Sequence, residues 1–146
     1  MREVMETAAQ KLDKTSPGTS LKILNHESLS GPVDNLQANL TLAILSNLFQ
    51  NSAEAHTRGE IVLEGKRKGK NWELLISDNC GGIPPNLLPQ IFSPVVSQKP
   101  GGSGIGLALS KQLAESMEGS LQLESSDSSG TCFRLTIPAL EEGATN

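Results

Sequence analysis

A cluster of glycines that leads into an uninterrupted helical segment constrains this chain more than any other feature. Four glycines occur within residues 101–106, and residues 107–117 contain neither Pro nor Gly. Glycine lets the backbone approach a ligand closely, and the first N–H groups of a helix point outward at the positive end of its dipole. The pattern predicts a phosphate-binding loop before a helix, although such a stretch by itself is also typical of a flexible linker.

The charge distribution around the glycine cluster favours a bound anion. Residues 79–114 contain no Asp or Glu, whereas the whole chain has 16 acidic and 12 basic residues and a formal net charge of −4. Two basic residues, Lys99 and Lys111, lie in this acid-free stretch. A segment that binds polyphosphate is expected to lack carboxylates, so the charge pattern supports the phosphate interpretation over the linker.

Composition limits the class of protein. A chain of 146 residues with 36% hydrophobic residues is typical of one globular domain, and its acidic balance offers no basis for binding nucleic acid. Cys80 and Cys132 match neither a metal motif nor a disulfide framework, which favours the cytoplasm. No apolar run is long enough for a membrane span, so we expect no direct membrane contact. Whether a longer parent protein is anchored in the inner membrane stays open.

Hydrophobic periodicity predicts the secondary structure. Apolar residues at helical spacing predict a long helix over residues 36–55 and shorter helices over residues 3–12 and 107–117. Alternating apolar residues predict strands over residues 21–25, 61–66, 72–77, 120–124 and 132–137. This mixture predicts an α+β fold, a two-layer α/β sandwich with a mixed sheet packed on helices.

Two asparagines on the long predicted helix are candidates for metal binding. Asn47 and Asn51 are four residues apart, so their side chains project from the same side of the helix. An amide carbonyl oxygen is a hard ligand that suits Mg²⁺. Two exposed amides at the edge of a helix are the alternative interpretation, and the spacing alone does not decide between them.

Five short motifs in order give the chain a family resemblance. They are NLFQNSAEA at 47–55, DNCGGI at 78–83, Phe92, GSGIGL at 102–107 and Gly-Thr at 130–131. The series resembles that of the GHKL superfamily, and within it the catalytic and ATP-binding domain of a sensor histidine kinase. The resemblance spans residues 21–138 and implies a Bergerat-type sandwich with a mobile ATP lid. Cys80 stands where that family has a glycine.

The resemblance also implies a role for each matching residue. Asn51 would bind Mg²⁺, Asn47 would contact phosphate or a metal-bound water, and Asp78 would accept a hydrogen bond from the adenine amino group. Lys99, in the lid, would place its charge beside the phosphates and complete a catalytic set with the two asparagines. The other residues implied to contact ATP are Gly82, Ile83, Phe92, Gly102, Gly104, Ile105, Gly106, Leu107 and Thr131.

Asn47 distinguishes between branches of this superfamily. The ATP-hydrolysing branches have a Glu at this position to activate water, and an amide cannot accept a proton at neutral pH. The resemblance therefore implies transfer of the ATP γ-phosphoryl group to a histidine on a separate dimerisation domain, with a response regulator downstream. An anti-sigma-factor-type serine kinase and a non-catalytic, nucleotide-dependent binding module remain as alternatives.

The resemblance also divides the chain. Residues 20–139 are expected to form the catalytic and ATP-binding domain, and residues 140–146 a frayed tail. Residues 1–19 would be a helix and linker left from an upstream dimerisation region. A fragment of this kind is expected to be monomeric, whereas its parent is expected to be a homodimer.

Overall fold

The computed structural model describes residues 1–24, 31–55, 58–79, 82–93 and 106–140. Several residues of the predicted site fall outside these ranges, so their placement is not described: Cys80, Lys99, Gly102, Gly104 and Ile105. The lid predicted between Phe92 and Gly101 also lies outside the described residues.

The described part of the chain forms one mixed sheet of five strands: β1 Ser20–Leu24, β2 Glu60–Lys68, β3 Asn71–Asp78, β4 Ser120–Asp127 and β5 Gly130–Pro138. Their order in the sheet is β1-β2-β3-β5-β4. Strands β1 and β2 are parallel, and the other neighbouring pairs are antiparallel. The predicted β2 and β3 were too short, because the hairpin continues until Lys68 pairs with Asn71.

Three helices form the second layer of the described structure: α1 Arg2–Thr15, α2 Asn35–Ala55 and α3 Gly106–Ser116. The central helix, α2, packs against both α1 and α3. A short 3-10 helix, Leu88–Gln90, follows β3. Within the described ranges, no helix combines the length and apolar character that crossing a membrane requires. The α+β sandwich predicted from the sequence is confirmed.

The apolar stripe of α2 lies against the inward-facing side chains of the central strands. Ile44, Leu45 and Leu48 of the helix and Leu74 and Leu135 of the sheet are all at most 2% exposed. Side chains alternate between the two faces of a strand, so Glu73 of β3 and Arg134 of β5, each next to an inward-facing leucine, face away from the helices. This arrangement places the core between the two layers.

Helix α1 belongs to the same core. Val4, Met5, Ala8 and Leu12 are buried together with α2 side chains. They recur at intervals of three or four residues, which places them on one helix face. The origin of residues 1–19 in an upstream region stays a prediction, but their packing ties α1 to this fold.

The outer face of the sheet carries a charged cluster. Glu73 is 7% exposed, and its Oε1 lies 3.5 Å from Lys66 Nζ and 3.8 Å from Arg134 Nε. The same Arg134 Nε lies 2.8 Å from Glu124 Oε1. A buried carboxylate is tolerated when cations surround it, so these cross-strand pairs explain an acidic residue in the middle of the sheet.

Candidate nucleotide-binding site

One end of the candidate site is the carboxylate at the end of β3. Asp78 Oδ2 accepts a hydrogen bond of 2.6 Å from Ser52 Oγ on α2. Its Oδ1 accepts one of 3.3 Å from the backbone N–H of Thr131 on β5, the residue directly opposite in the antiparallel ladder. Ser52 and Thr131 are each 7% exposed. The carboxylate is therefore held from the helix layer and from the sheet at once.

Two glycines allow backbone segments to meet beside Asp78. Gly130 has a φ of +146°, and a Cβ there would lie 1.8 Å from the carbonyl oxygen of Asp78. A Cβ at Gly82 would lie 2.3 Å from the carbonyl oxygen of Asp127. The family resemblance implied that Gly82 contacts ATP; the described close approach is to Asp127, where β4 leads into the turn to β5, and the contact with ATP stays a prediction.

Ser126 connects that turn to the segment after β3. The backbone N–H of Ile83 donates a hydrogen bond of 2.7 Å to Ser126 Oγ, which lies 3.4 Å from Thr131 Oγ1. Thr131 is in turn bonded to Asp78. A continuous set of polar contacts thus fixes the segment that begins at Gly82 relative to the carboxylate.

The other end of the candidate site lies between α2 and α3. Asn47 Nδ2 donates a hydrogen bond of 3.2 Å to Ser110 Oγ, and Ser110 is fully buried. A Cβ placed on Gly106 would lie 4.0 Å from Asn51 Oδ1. Asn51 follows Asn47 by four residues on α2, whereas Gly106 precedes Ser110 by four residues on α3. The two helices therefore run antiparallel here. Asn51 consequently lies beside the first residue of α3, where N–H groups are available to an anion.

Helix α2 joins the two ends. Asn51 and Ser52 are consecutive residues, and neighbouring helical side chains project about 100° apart. Asn51 therefore faces α3 while Ser52 faces β3. A ligand that contacts Asp78 and the start of α3 would lie along this turn of α2.

Aromatic and apolar side chains border the site. The rings of Phe92 and Phe133 pack edge to face, with centroids 6.2 Å apart, and Lys111 Nζ lies 5.2 Å from the Phe92 centroid. Ile83, Phe92 and Leu107 are partly buried against the core. Phe92 therefore contacts both β5 and α3, a position where its ring could border a planar ligand.

Nine residues of the predicted site lie within the described ranges: Asn47, Asn51, Asp78, Gly82, Ile83, Phe92, Gly106, Leu107 and Thr131. The contacts described above join Asp78 to Thr131 at one end and place Asn51 beside Gly106 at the other. The sequence motifs did not point to Ser52, Ser110 or Ser126. Ser52 continues the buried stripe of Ile44 and Leu48 at intervals of four residues, and a polar residue on such a stripe was a usable signal. No comparable pattern marked Ser126.

Comparison with known proteins identifies the family. Residues 37–141 match the sequence model of the family described as histidine kinase-, DNA gyrase B-, and HSP90-like ATPase. This chain belongs to that ATPase family. The match includes every described residue of the candidate site, from Asn47 to Thr131.

Curated relatives of this family member are sensor proteins. The chain is 37% identical over 97 residues to the sensor protein TorS of Escherichia coli strain K12, a match that covers 65% of this chain and 11% of TorS. It is 32% identical over 136 residues to the sensory histidine kinase/phosphatase NtrB of Rhizobium meliloti strain 1021, covering 82% of this chain and 35% of NtrB. The chain thus spans about a tenth to a third of these relatives' length.

A solved structure supports the fold. The catalytic domain of histidine kinase ThkA, in a nucleotide-free form, superposes with a TM-score of 0.78 at 21% identity. The match covers 95% of this chain and 92% of the ThkA chain.

Proposed function

We propose that the chain is the ATP-binding catalytic domain of a two-component sensor histidine kinase. Its reaction would transfer the γ-phosphoryl group of ATP to a histidine on a separate dimerisation domain. The observation that supports the proposal is the arrangement along α2. Ser52 bonds to the Asp78 carboxylate, and the preceding residue, Asn51, lies beside the N-terminus of α3. The names of its sensor relatives favour a sensor histidine kinase over the other kinds of protein in this ATPase family.

Asp78 is suited to recognise adenine. A carboxylate accepts hydrogen bonds and donates none, so it favours the exocyclic amine of adenine. Guanine has a carbonyl at that position, which would leave two acceptors facing each other. Because Ser52 and Thr131 hold the carboxylate, its acceptor geometry is set by the protein.

The α3 end is suited to bind the phosphates and Mg²⁺. The described residues contain no group of three or more His, Cys, Asp or Glu side chains that could hold a metal, whereas Mg²⁺ commonly uses one or two protein oxygens together with phosphates and waters. Asn51 Oδ1, beside Gly106, fits that limited role. The ion would neutralise charge on the phosphates during transfer.

Asn47 favours phosphoryl transfer over hydrolysis. Its side chain is an amide engaged with Ser110, and an amide supplies no general base to activate water. A neutral imidazole needs no such base, since its unprotonated nitrogen attacks phosphorus directly. In that step a nitrogen–phosphorus bond forms, the bond between the γ-phosphorus and the β–γ bridging oxygen breaks, and ADP leaves. The other ring nitrogen then releases its proton to solvent, which leaves neutral phosphoimidazole.

The proposal extends to the parent protein. By analogy with its sensor relatives, the parent would be a homodimer with a histidine-bearing dimerisation domain and a response regulator as the next acceptor. The isolated chain would be a monomer that binds ATP and acts in the cytoplasm. Lys99 is proposed to contact the phosphates from the lid.

Nucleotide titration followed by reconstitution tests the proposal. Calorimetry should detect Mg²⁺-dependent ATP binding that is reduced in Asn51→Ala and reduced further in Asp78→Ala. Unchanged isotherms for both variants would contradict the site. With radiolabelled ATP and purified dimerisation domains of sensor kinases, the chain should then form acid-labile phosphohistidine.

Two other results of the reconstitution would replace the proposal. Acid-stable phosphoserine on an added protein would favour a serine kinase of the anti-sigma-factor type. ATP binding without phosphorylation of any acceptor domain would favour a nucleotide-dependent binding module.

A further inference from the structure

Ser52 interrupts the buried face of α2 at the point where the helix passes Asp78. Its neighbours Leu48, Phe49 and Ala53 are at most 6% exposed, and Ser52 itself is 7% exposed. Burying a hydroxyl is unfavourable unless it finds a partner. Within helices, serine commonly bonds back to the carbonyl four residues earlier. Here the hydroxyl instead leaves α2 and reaches Asp78 Oδ2 at 2.6 Å.

The direction of this hydrogen bond follows from chemistry alone. An ionised carboxylate only accepts, so the Ser52 hydroxyl must be the donor. Thr131 N–H donates to the other carboxylate oxygen at 3.3 Å. Two donors from different layers, acting on different oxygens, fix the rotation of the carboxylate.

That rotation matters for recognition of a base. The terminal torsion of Asp is broad, whereas a hydrogen bond weakens steeply once its angle departs from linear. A carboxylate that rotates would meet the adenine amine over a range of poor geometries. It would also discriminate less against guanine, because the repulsive arrangement could relax.

We infer that Ser52 is a positioning residue for adenine recognition, acting through Asp78. The inference rests on the proposed ATP-binding function and deepens it. Ser52 touches no reacting atom; its hydroxyl holds the carboxylate in the orientation that reads the base. Nucleotide selectivity is therefore expected to depend on a side chain that lies one layer behind the recognising group.

Calorimetric titration of the whole chain with ATP and with GTP tests this role. Ser52→Ala is expected to weaken ATP binding about tenfold, because a misoriented Asp78 would lose much of its charge-assisted hydrogen bond to the base, and to lower the ratio of ATP to GTP affinity. Ser52→Thr restores a hydroxyl and should recover most of both. Wild-type affinity and selectivity in Ser52→Ala would overturn the inference.

Ser46 provides a matched control. It lies on the same helix, and its hydroxyl is buried without a hydrogen-bond partner among the described residues. Ser46→Ala removes the same group from the same layer, so ATP affinity and the ATP to GTP ratio should stay at wild-type values. An equal loss in Ser46→Ala and Ser52→Ala would show a general effect of α2 and contradict the specific role.

A double-mutant cycle separates positioning from structural support. If Ser52 acts through Asp78, Ser52→Ala should weaken ATP binding no further in an Asp78→Ala background. A further tenfold loss there would overturn the inference. Should Ser52→Ala not fold, as judged by circular dichroism, Ser52→Cys replaces it, because the thiol is a weak donor of similar size.

The outcomes distinguish this inference from the function on which it rests. If the wild-type chain does not bind ATP, the proposed function and the role of Ser52 both fail. If the wild-type chain binds ATP and Asp78→Ala does not, while Ser52→Ala behaves as wild type, only the role of Ser52 fails.

Discussion

The two ends of the candidate site are built in different ways. At the Asp78 end, the backbones of β3 and β5 are in register, and a side-chain donor from α2 completes the contacts of the carboxylate. At the α3 end, the described contact is one amide–hydroxyl hydrogen bond between two helices, and Asn51 Oδ1 lies 4.0 Å from a Cβ position at Gly106. The first end depends on main-chain geometry, and the second depends on side chains between helices.

The difference indicates which part of the candidate site is organised before a ligand binds. Groups that are already held in place need no reorganisation on binding, so they contribute more to affinity and selectivity. The Asp78 end is expected to recognise the base with a preformed acceptor. At the α3 end, Asn51 and the N-terminus of α3 are expected to reach their final geometry only when the phosphates and Mg²⁺ bind.

The largest effect is expected at Gly130, where the backbones of β3 and β5 meet at the Asp78 end. Gly130→Ala should lower the free energy of unfolding by about 3 kcal/mol or more, because it combines an unfavourable φ with a clash against the Asp78 carbonyl. Urea denaturation measures this loss. Gly69→Ala is the control: its φ is +61° but nothing lies within 4 Å of the new Cβ, so a loss of about 1 kcal/mol is expected.

Equal, small losses of stability at the two glycines would contradict the rigidity expected of the Asp78 end. They would mean that the close approach between Gly130 and Asp78 relaxes easily. The Asp78 end would then be no more rigid than the α3 end.

The next effect compares the two ends directly through ATP affinity with and without Mg²⁺. Asp78→Ala should weaken ATP binding about 100-fold under both conditions, since it removes the charged carboxylate that accepts a hydrogen bond from the adenine amine. Asn51→Ala should lose only the increment that Mg²⁺ adds, about tenfold. Calorimetry in magnesium-containing and EDTA-containing buffer gives both numbers, and a reversed dependence on Mg²⁺ would exchange the roles assigned to the two ends.

A smaller effect is expected at Ser110, which holds Asn47 at the helix end. Ser110→Ala leaves the Asn47 amide without this contact, a change of about 1 kcal/mol. The rate of phosphohistidine formation with an added dimerisation domain should fall several-fold, with the affinity for ATP nearly unchanged. Ser116→Ala is the control on the same helix, because in the described part of the chain the Ser116 hydroxyl donates to the carbonyl oxygen of Leu113, one turn earlier on α3. An equal fall in both variants would remove the specific role of Ser110.

The smallest effect is expected at the turn beside Gly82. The Ser129 hydroxyl donates to Asp127 Oδ1 and, with the Ser129 N–H, holds the pKa of this exposed carboxyl below its ordinary value. A lowered folded-state pKa stabilises the fold above the unfolded pKa, and that contribution is lost as the pH falls through the folded pKa. In Ser129→Ala the pKa of Asp127 should rise, as measured by NMR titration, while ATP affinity stays constant.

The exposed neighbour Ser128 is the control for this turn. Ser128→Ala should leave the pKa of Asp127 where it is. A loss of ATP affinity in Ser129→Ala would mean that the preformed Asp78 end extends as far as the β4–β5 turn.

Much of the fold was predictable because periodicity is a local property. The long helix was expected over residues 36–55 and spans Asn35–Ala55, and the predicted helix over residues 107–117 spans Gly106–Ser116. The β2–β3 hairpin was longer than predicted, because pairing across the strands continues through charged residues that carry no apolar alternation. Cross-strand hydrogen bonds do not depend on side-chain polarity, so the sequence pattern underestimates their extent.

The chemical groups of the candidate site are apparent from local sequence: a carboxylate after a strand, two amides on one side of a helix, and glycines before another helix. The contacts that hold these groups in place depend on the tertiary structure. Ser52 and Asp78 are 26 residues apart, and Asn47 and Ser110 are 63 apart, so no local pattern pairs them. Which hydroxyl reaches which acceptor is set by how α2 packs against the sheet and α3, and that packing depends on the whole core at once.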